Sequence, residues 1–276
     1  MALAQPNSSM AWWRKAKAIF SIWVQDGLAY RAAGIIWVLT DVTTAVTMPV
    51  LWAAAAKSNG GMVGGFTIGN MVVYYLAMLL LTGFVTSHIM WDVAVEIREG
   101  LLSLMLVRPV DIYAFTFIRN LAWRLIRPTL FFPFFLLLLW AYRGYLADVH
   151  LCLGPEFWLS LVLGHLVSFC TVMAMAAIAL YTQEAFSIFE IYYIPQLFLS
   201  GVLFPIAVMP SWVGNIAKVL PFYYTLGAPT EIFVGRVAGV HAWNVVAIQA
   251  LWVLVAFVAG RLLWRAGLKQ FTGVGM

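Results

Sequence analysis

The chain has 276 residues, of which 64% are hydrophobic and only 10% charged, with a formal net charge of +5. Soluble domains carry roughly 25% charged residues, and a mean hydropathy of +0.93 excludes a soluble globular enzyme and marks an integral membrane protein with several spans. On such a chain the placement of Lys and Arg reports orientation rather than nucleic-acid binding.

Residues 10–31 read as an amphipathic interfacial helix. Trp12, Ala16, Ile19, Phe20 and Trp23 share one face at i, i+3, i+4 spacing, opposite Arg14, Lys17, Ser21 and Gln25. It either lies on the inner leaflet or forms the start of a bundle helix. Gln25 and Asp26 interrupt any apolar core of a cleavable signal peptide. Six spans of about 20 apolar residues follow, over 33–56, 68–91, 121–142, 157–180, 186–208 and 242–264, so the fold class is an all-α integral membrane protein. Pro133 and Pro195 kink the third and fifth, as a packed bundle tolerates. The Gly-rich stretch 58–70 lacks the ending of a phosphate-binding loop and reads as a turn.

With the N-terminus inside, twelve of the Lys and Arg residues fall on one side, and Lys57, Arg143, Lys218 and Arg236 on the other. That asymmetry predicts cytoplasmic termini and places the loop after the second span in the cytoplasm. This loop, 92–110, carries Asp92, Glu96, Arg98, Glu99 and Arg108, with Asp111 just after it, between nearly pure apolar stretches. Ile97, Leu101, Leu104, Met105 and Arg108 recur at helical spacing, which predicts one amphipathic helix ended by Arg108-Pro109. Such a helix floats on lipid or docks its apolar stripe into a partner's groove.

Ionisable residues inside spans are functional candidates. Asp41 and Glu190 fall in the inner halves of the first and fifth spans, and Phe189 and Tyr193 accompany Glu190. They form either a candidate cavity for an organic cation or structural pairs with Arg124 and Arg127. His88 and His165 read as packing residues. His150 and His241 complete four scattered histidines with no metal-ligand spacing, and Cys152 and Cys170 form neither a disulfide framework nor a zinc motif. No nucleotide-binding, hydrolase or zinc-protease motif is present, so no enzyme, cofactor or metal is expected in the chain itself.

Two phrases carry a resemblance. One is Ile97-Arg98-x-Gly100-x-Leu102-x-x-x-Leu106-x-Arg108-Pro109; the other is "SGVLFPIAVMPSWVGNIAKVLPFYYTLGAPTEI" over 200–232, and "LAYRA" before the first span agrees with both. Together they resemble type-2 ABC exporter permeases along essentially the whole chain, a single domain over 1–276. The resemblance implies that 92–110 is a coupling helix, with Leu101, Leu104 and Met105 as anchors in a cleft of an ATP-binding subunit and Glu96, Arg98, Glu99 and Arg108 at its rim. It implies that 205–236 forms re-entrant helices of an external gate, with Phe204, Pro205, Pro210, Trp212 and Pro221. Expected partners are two ATP-binding subunits carrying ATP and Mg, a second copy or a related permease, and the lipid of a bacterial inner membrane. The expected function is ATP-driven export of a hydrophobic or cationic small molecule, or of a lipid or glycan. Outside that class stand ion-gradient-coupled transport through Asp41 and Glu190, and a non-transporting scaffold.

Overall fold

The computed structural model describes residues 8–146, 151–182 and 184–271. The expected domain's two ends and His150 lie outside the described residues. Twelve α-helices run in chain order among the described residues: α1 (Ser8–Ala29), α2 (Arg31–Ser58), α3 (Ile68–Val85), α4 (Ile89–Arg98), α5 (Leu101–Leu106), α6 (Ile112–Ala141), α7 (Pro155–Ala176), α8 (Ala185–Leu199), α9 (Ser211–Val219), α10 (Pro221–Thr225), α11 (Gly227–Phe233) and α12 (Val240–Leu268). A minimal hairpin, Met62–Val63 against Phe66–Thr67, closes the turn between α2 and α3.

Among the described residues, five helical stretches are long and apolar enough to cross a membrane: Gly34–Ser58, Ile68–Arg98, Ile112–Ala141, Pro155–Leu180 and Val240–Leu268. The expected span 186–208 is represented by α8, of 15 residues, about 22 Å at 1.5 Å per residue. The chain leaves the helix at Gly201, whose φ of 86° suits glycine alone without strain. Tyr74 Oη donates to the Gly201 carbonyl at 3.0 Å and Tyr75 Oη to that of Leu203 at 2.7 Å, so the carbonyls freed there are satisfied from α3.

The second expected span is not a single rod. It breaks at Thr86-Ser87-His88, where Thr86 is extended. Backbone groups freed inside a membrane protein need internal partners, and α6 and α7 supply them. Ser168 Oγ accepts from Ser87 N at 2.9 Å, Asn120 Nδ2 donates to Ser87 Oγ at 2.9 Å, Arg124 Nη1 donates to Gly83 O at 3.1 Å, and His165 Nδ1 lies 3.2 Å from Val85 O.

Past this break α4 carries the chain to the end of the bundle where α5 sits. A second correction arises there, because residues 92–108 do not form one helix. Gly100, at φ 77°, separates α4 from α5, and the single expected stripe is split. Ile97 and Leu102 turn into the core while Leu101 and Leu104 stay exposed. Because Gly100 occupies the left-handed region, Gly100→Ala is expected to cost about 1 kcal/mol, read as a modest fall in thermal midpoint with the helical signal retained.

The core is layered along the bundle. At the α5 end, residues of α4, α7, α8 and α12 enclose Phe169, Met173, Phe189 and Trp264. At the opposite end, α3 packs Tyr74, Tyr75 and Met78 against Leu226 and Ile232. The apolar stripe of α1 rests on α6: Ala16 is buried, and Trp23 packs edge-on to Phe115 at 6.3 Å. Trp12 remains exposed.

Candidate functional site

Two places concentrate charge in this apolar chain, and the first is the frame around α5. Arg119 of α6 is almost fully buried, bonded to Asp92 at 3.0 Å and to Glu96, both on α4. Its guanidinium stacks 4.5 Å above the ring of Trp23, so α1, α4 and α6 meet at one side chain. Asp111 caps α6 by accepting from Tyr113 N and Ala114 N at 3.0 and 3.2 Å, and pairs with Arg261 of α12 at 2.8 Å. Lys15 Nζ donates to Pro109 O at 3.3 Å, and Arg98 stacks over Phe186 of α8 at 5.0 Å.

Within this frame the expected coupling residues separate into two groups. Glu96 faces inward and is engaged by Arg119 rather than standing at an open rim. Arg98, Glu99 and Arg108 are exposed; Leu101, Leu104 and Val107 are exposed at 42%, 59% and 81%, and Met105 is partly buried. The result is a two-turn helix, anchored by Leu102, with an apolar outer surface between charges.

The second place is a cavity of about 80 Å³ between α2, α3, α6 and α8. Asp41 and Arg127 form an ion pair in its wall, with Tyr193, Gln196, Thr82, Thr86 and His88 around it. The four expected cavity residues part company here. Asp41 and Tyr193 line the space, Glu190 is exposed on α8, and Phe189 is buried at the α5 end, 5.2 Å from Trp91. Among the described residues, no three His, Cys, Asp or Glu side chains come together as a metal site.

At the end opposite α5, segment 205–236 is partly a surface and partly core. In α9 only Ala217 is buried, and Trp212 is 65% exposed beside exposed Pro210. Every residue of α11 is buried. Phe204 packs on Trp52 at 6.1 Å and Pro205 is buried, while Pro221 starts α10 half-buried. Gln249 of α12 donates to the carbonyls of Tyr224 and Ser160 at 2.8 and 3.1 Å, tying α10 to α7.

Glu231, in α11, accepts from Tyr223 Oη at 2.7 Å. Burial pushes its carboxyl above the ordinary value of 4.5, and the Tyr223 bond, Arg236 and Lys218 pull it partway back. A carboxyl raised in the fold keeps its proton where the unfolded chain has released it, so its contribution to stability is full below the unfolded value and declines as pH rises toward the folded one. Glu231→Gln retains an acceptor for Tyr223 and removes that slope. Its thermal midpoint is expected to gain on the parent's as pH rises above the ordinary carboxyl value of 4.5; parallel curves would show that Glu231 does not titrate on unfolding.

Sequence reasoning missed Arg119 as the hub, the break at 86–88 and buried Glu231. Arg119 was visible only as one more basic residue near a span, and the signal that existed was its distance from both Asp92 and Glu96, which depends on the fold.

The described residues form an α-helical bundle with five helices long and apolar enough to cross a membrane and a framed amphipathic helix at one end. The family model described as ABC-2 family transporter protein matches residues 43–275. The chain belongs to that family, whose members are the membrane subunits of ABC transporters and associate with ATP-binding subunits. No curated protein and no solved structure matches the chain.

Proposed function

We propose that the chain is the membrane-spanning subunit of an ATP-driven exporter, with α5 as the helix through which separate ATP-binding subunits move it. The observation that carries this is the exposure of Leu101 and Leu104 on a short helix, and of Val107 at its end, with the flanking α4, Pro109 and Asp111 held to α1, α6 and α12. Exposed leucines between Arg98, Glu99 and Arg108 match the anatomy of a docking patch, an apolar centre with a charged rim. A push on α5 passes through Arg119 and Asp111 into three long helices.

In this account the α5 end faces the cytoplasm, both termini included, a placement that the excess of Lys and Arg on that side supports. The membrane is a bacterial inner membrane, and α8 with residues 200–208 makes a sixth crossing. Segment 205–236 forms the external gate, with α10 and α11 dipping into the bundle and α9 lying across its mouth. The subunit works as a dimer, with itself or with a related permease, on two ATP-binding subunits carrying ATP and Mg. Gradient coupling through Asp41 and Glu190 draws no support from the geometry, because Asp41 is paired with Arg127 and Glu190 lies outside the cavity.

Inside-out vesicles bearing the transporter test this directly. With ionophores present, ATP is expected to drive uptake of an amphiphilic fluorescent probe. Uptake driven by an ion gradient without ATP would replace this proposal with the gradient-coupled one.

A further inference from the structure

We infer that a different cavity, bordering α5, receives an apolar side chain and a neighbouring carboxylate of the ATP-binding subunit. The two proteins then dock reciprocally: α5 enters the subunit, and the subunit enters the chain. The inference rests on the docking role proposed for α5 and adds a second contact with that same partner. The cavity measures about 260 Å³ and is lined by Ala94, Ile97 and Arg98 of α4, Leu180 after α7, Phe186 of α8 and Phe271 beyond α12. Arg98 is the last residue of α4 and stands three residues before Leu101, the first of α5. One partner seated on α5 therefore meets the cavity as well. Ala94, Ile97 and Leu180 are buried and belong to the core cluster around Phe169 and Met173, so the cavity reaches down to that core. Protein interiors leave few voids larger than a water molecule, and an apolar space of this size against the core calls for a group to fill it. It lies below the roughly 300–1,000 Å³ of cavities that enclose drug-sized ligands, and it suits one or two side chains.

Charge selects among the side chains that would fit. Arg98 is the one charged residue in the lining. Its guanidinium stacks over the Phe186 ring at 5.0 Å, and among the described residues no carboxylate lies within ion-pair distance of it. Glu96, one turn away, is taken by Arg119, and neither Glu99 nor Glu184 lines the space. Contact with a ring leaves the N–H donors of a guanidinium free, and their planar fork matches a carboxylate. An apolar anchor in a cavity with a charge pair beside it is the anatomy of an interface hot spot, here with the anchor on the partner's side.

The test uses the full complex, purified with its ATP-binding subunit in mild detergent. The photoreactive residue p-benzoylphenylalanine replaces Phe186 in one preparation and Leu104 of α5 in another. Illumination at position 186 is expected to join the chain to the ATP-binding subunit. Mass spectrometry of the adduct is expected to place the attachment in a stretch that sets an aspartate or glutamate beside an apolar residue. Attachment to lipid, to residues 272–276 of this chain or to a stretch without an acidic residue would overturn the inference, as would no attachment at all. Arg98→Gln is expected to raise the Kd for the ATP-binding subunit about tenfold, the effect of one charge-assisted hydrogen bond; an unchanged Kd would overturn the carboxylate assignment. If the photoreactive residue at 186 disturbs the fold, the same residue in place of Phe271 repeats the test. The two positions separate this inference from the reading it rests on. Attachment at 104 but not at 186 leaves α5 as the docking element and removes the cavity. Attachment at 186 but not at 104 keeps the cavity and removes α5, and attachment at neither removes both.

Discussion

Leu101→Asp combined with Leu104→Asp is expected to leave the bundle folded and to abolish association with the ATP-binding subunit. Both side chains are exposed in the isolated chain, at 42% and 59%, so the substitutions remove only part of the packing a core leucine would lose and the thermal midpoint moves little. Two carboxylates placed in a partner's apolar cleft are a different matter. Each anchor lost from the centre of an interface costs about 2 kcal/mol or more, and burying the charge adds to that. An association loss of at least about a thousandfold follows from two such anchors. Arg98→Glu, at the exposed edge, is expected to have a smaller and salt-dependent effect. Size-exclusion chromatography of the solubilised complex separates the cases: the double variant elutes without ATPase and Arg98→Glu elutes with part of it. If the double variant retains its ATPase, α5 is not the docking element.

The second large effect is on stability. Arg119→Met is expected to destabilise the fold by about 3 kcal/mol. The guanidinium bridges Asp92 and Glu96 and covers Trp23, and its loss leaves the largely buried Glu96 carboxylate without a counter-charge. Arg119→Lys is not expected to rescue, because one ammonium cannot serve two carboxylates and an aromatic face together. Adding Glu96→Gln to Arg119→Met is expected to recover much of the loss, and a double-mutant cycle on denaturation in detergent measures that coupling. Strict additivity of the two substitutions would show that the pair contributes nothing beyond packing. Because α1 joins the rest of the bundle at this point, Arg119→Met is also expected to expose Trp23, visible as a red shift in its fluorescence.

Much of this architecture was legible in the sequence because hydropathy is a local property. The spans expected at 157–180 and 242–264 correspond to α7 with its following turn and to α12, each bounded by a change from apolar to polar or Gly-rich residues. The family, too, was legible in two ordered phrases. Breaks stabilised from a distance were not. Thr86-Ser87-His88 contains neither Pro nor Gly, and the groups that make an unwound backbone tolerable there, Asn120, Arg124, His165 and Ser168, lie in α6 and α7. Gly100 offered a local signal, yet the helical spacing of Leu101, Leu104 and Met105 with Ile97 outweighed it and hid the joint between α4 and α5. For Asp41 the spacing left two partners open, a cation or an arginine, and a contact 86 residues away in the chain decides between them only in three dimensions.

The central claim is that a separate ATP-binding subunit drives this chain through α5. The most direct measurement is affinity purification of the chain from its own host in mild detergent, with mass spectrometry of the proteins retained and an assay of ATP hydrolysis on the eluate. The account predicts an ATP-binding subunit in the eluate, hydrolysis that co-elutes with the chain, and loss of both in the Leu101→Asp, Leu104→Asp double variant. A folded chain that elutes alone and without hydrolysis, or a double variant that retains both, would contradict it.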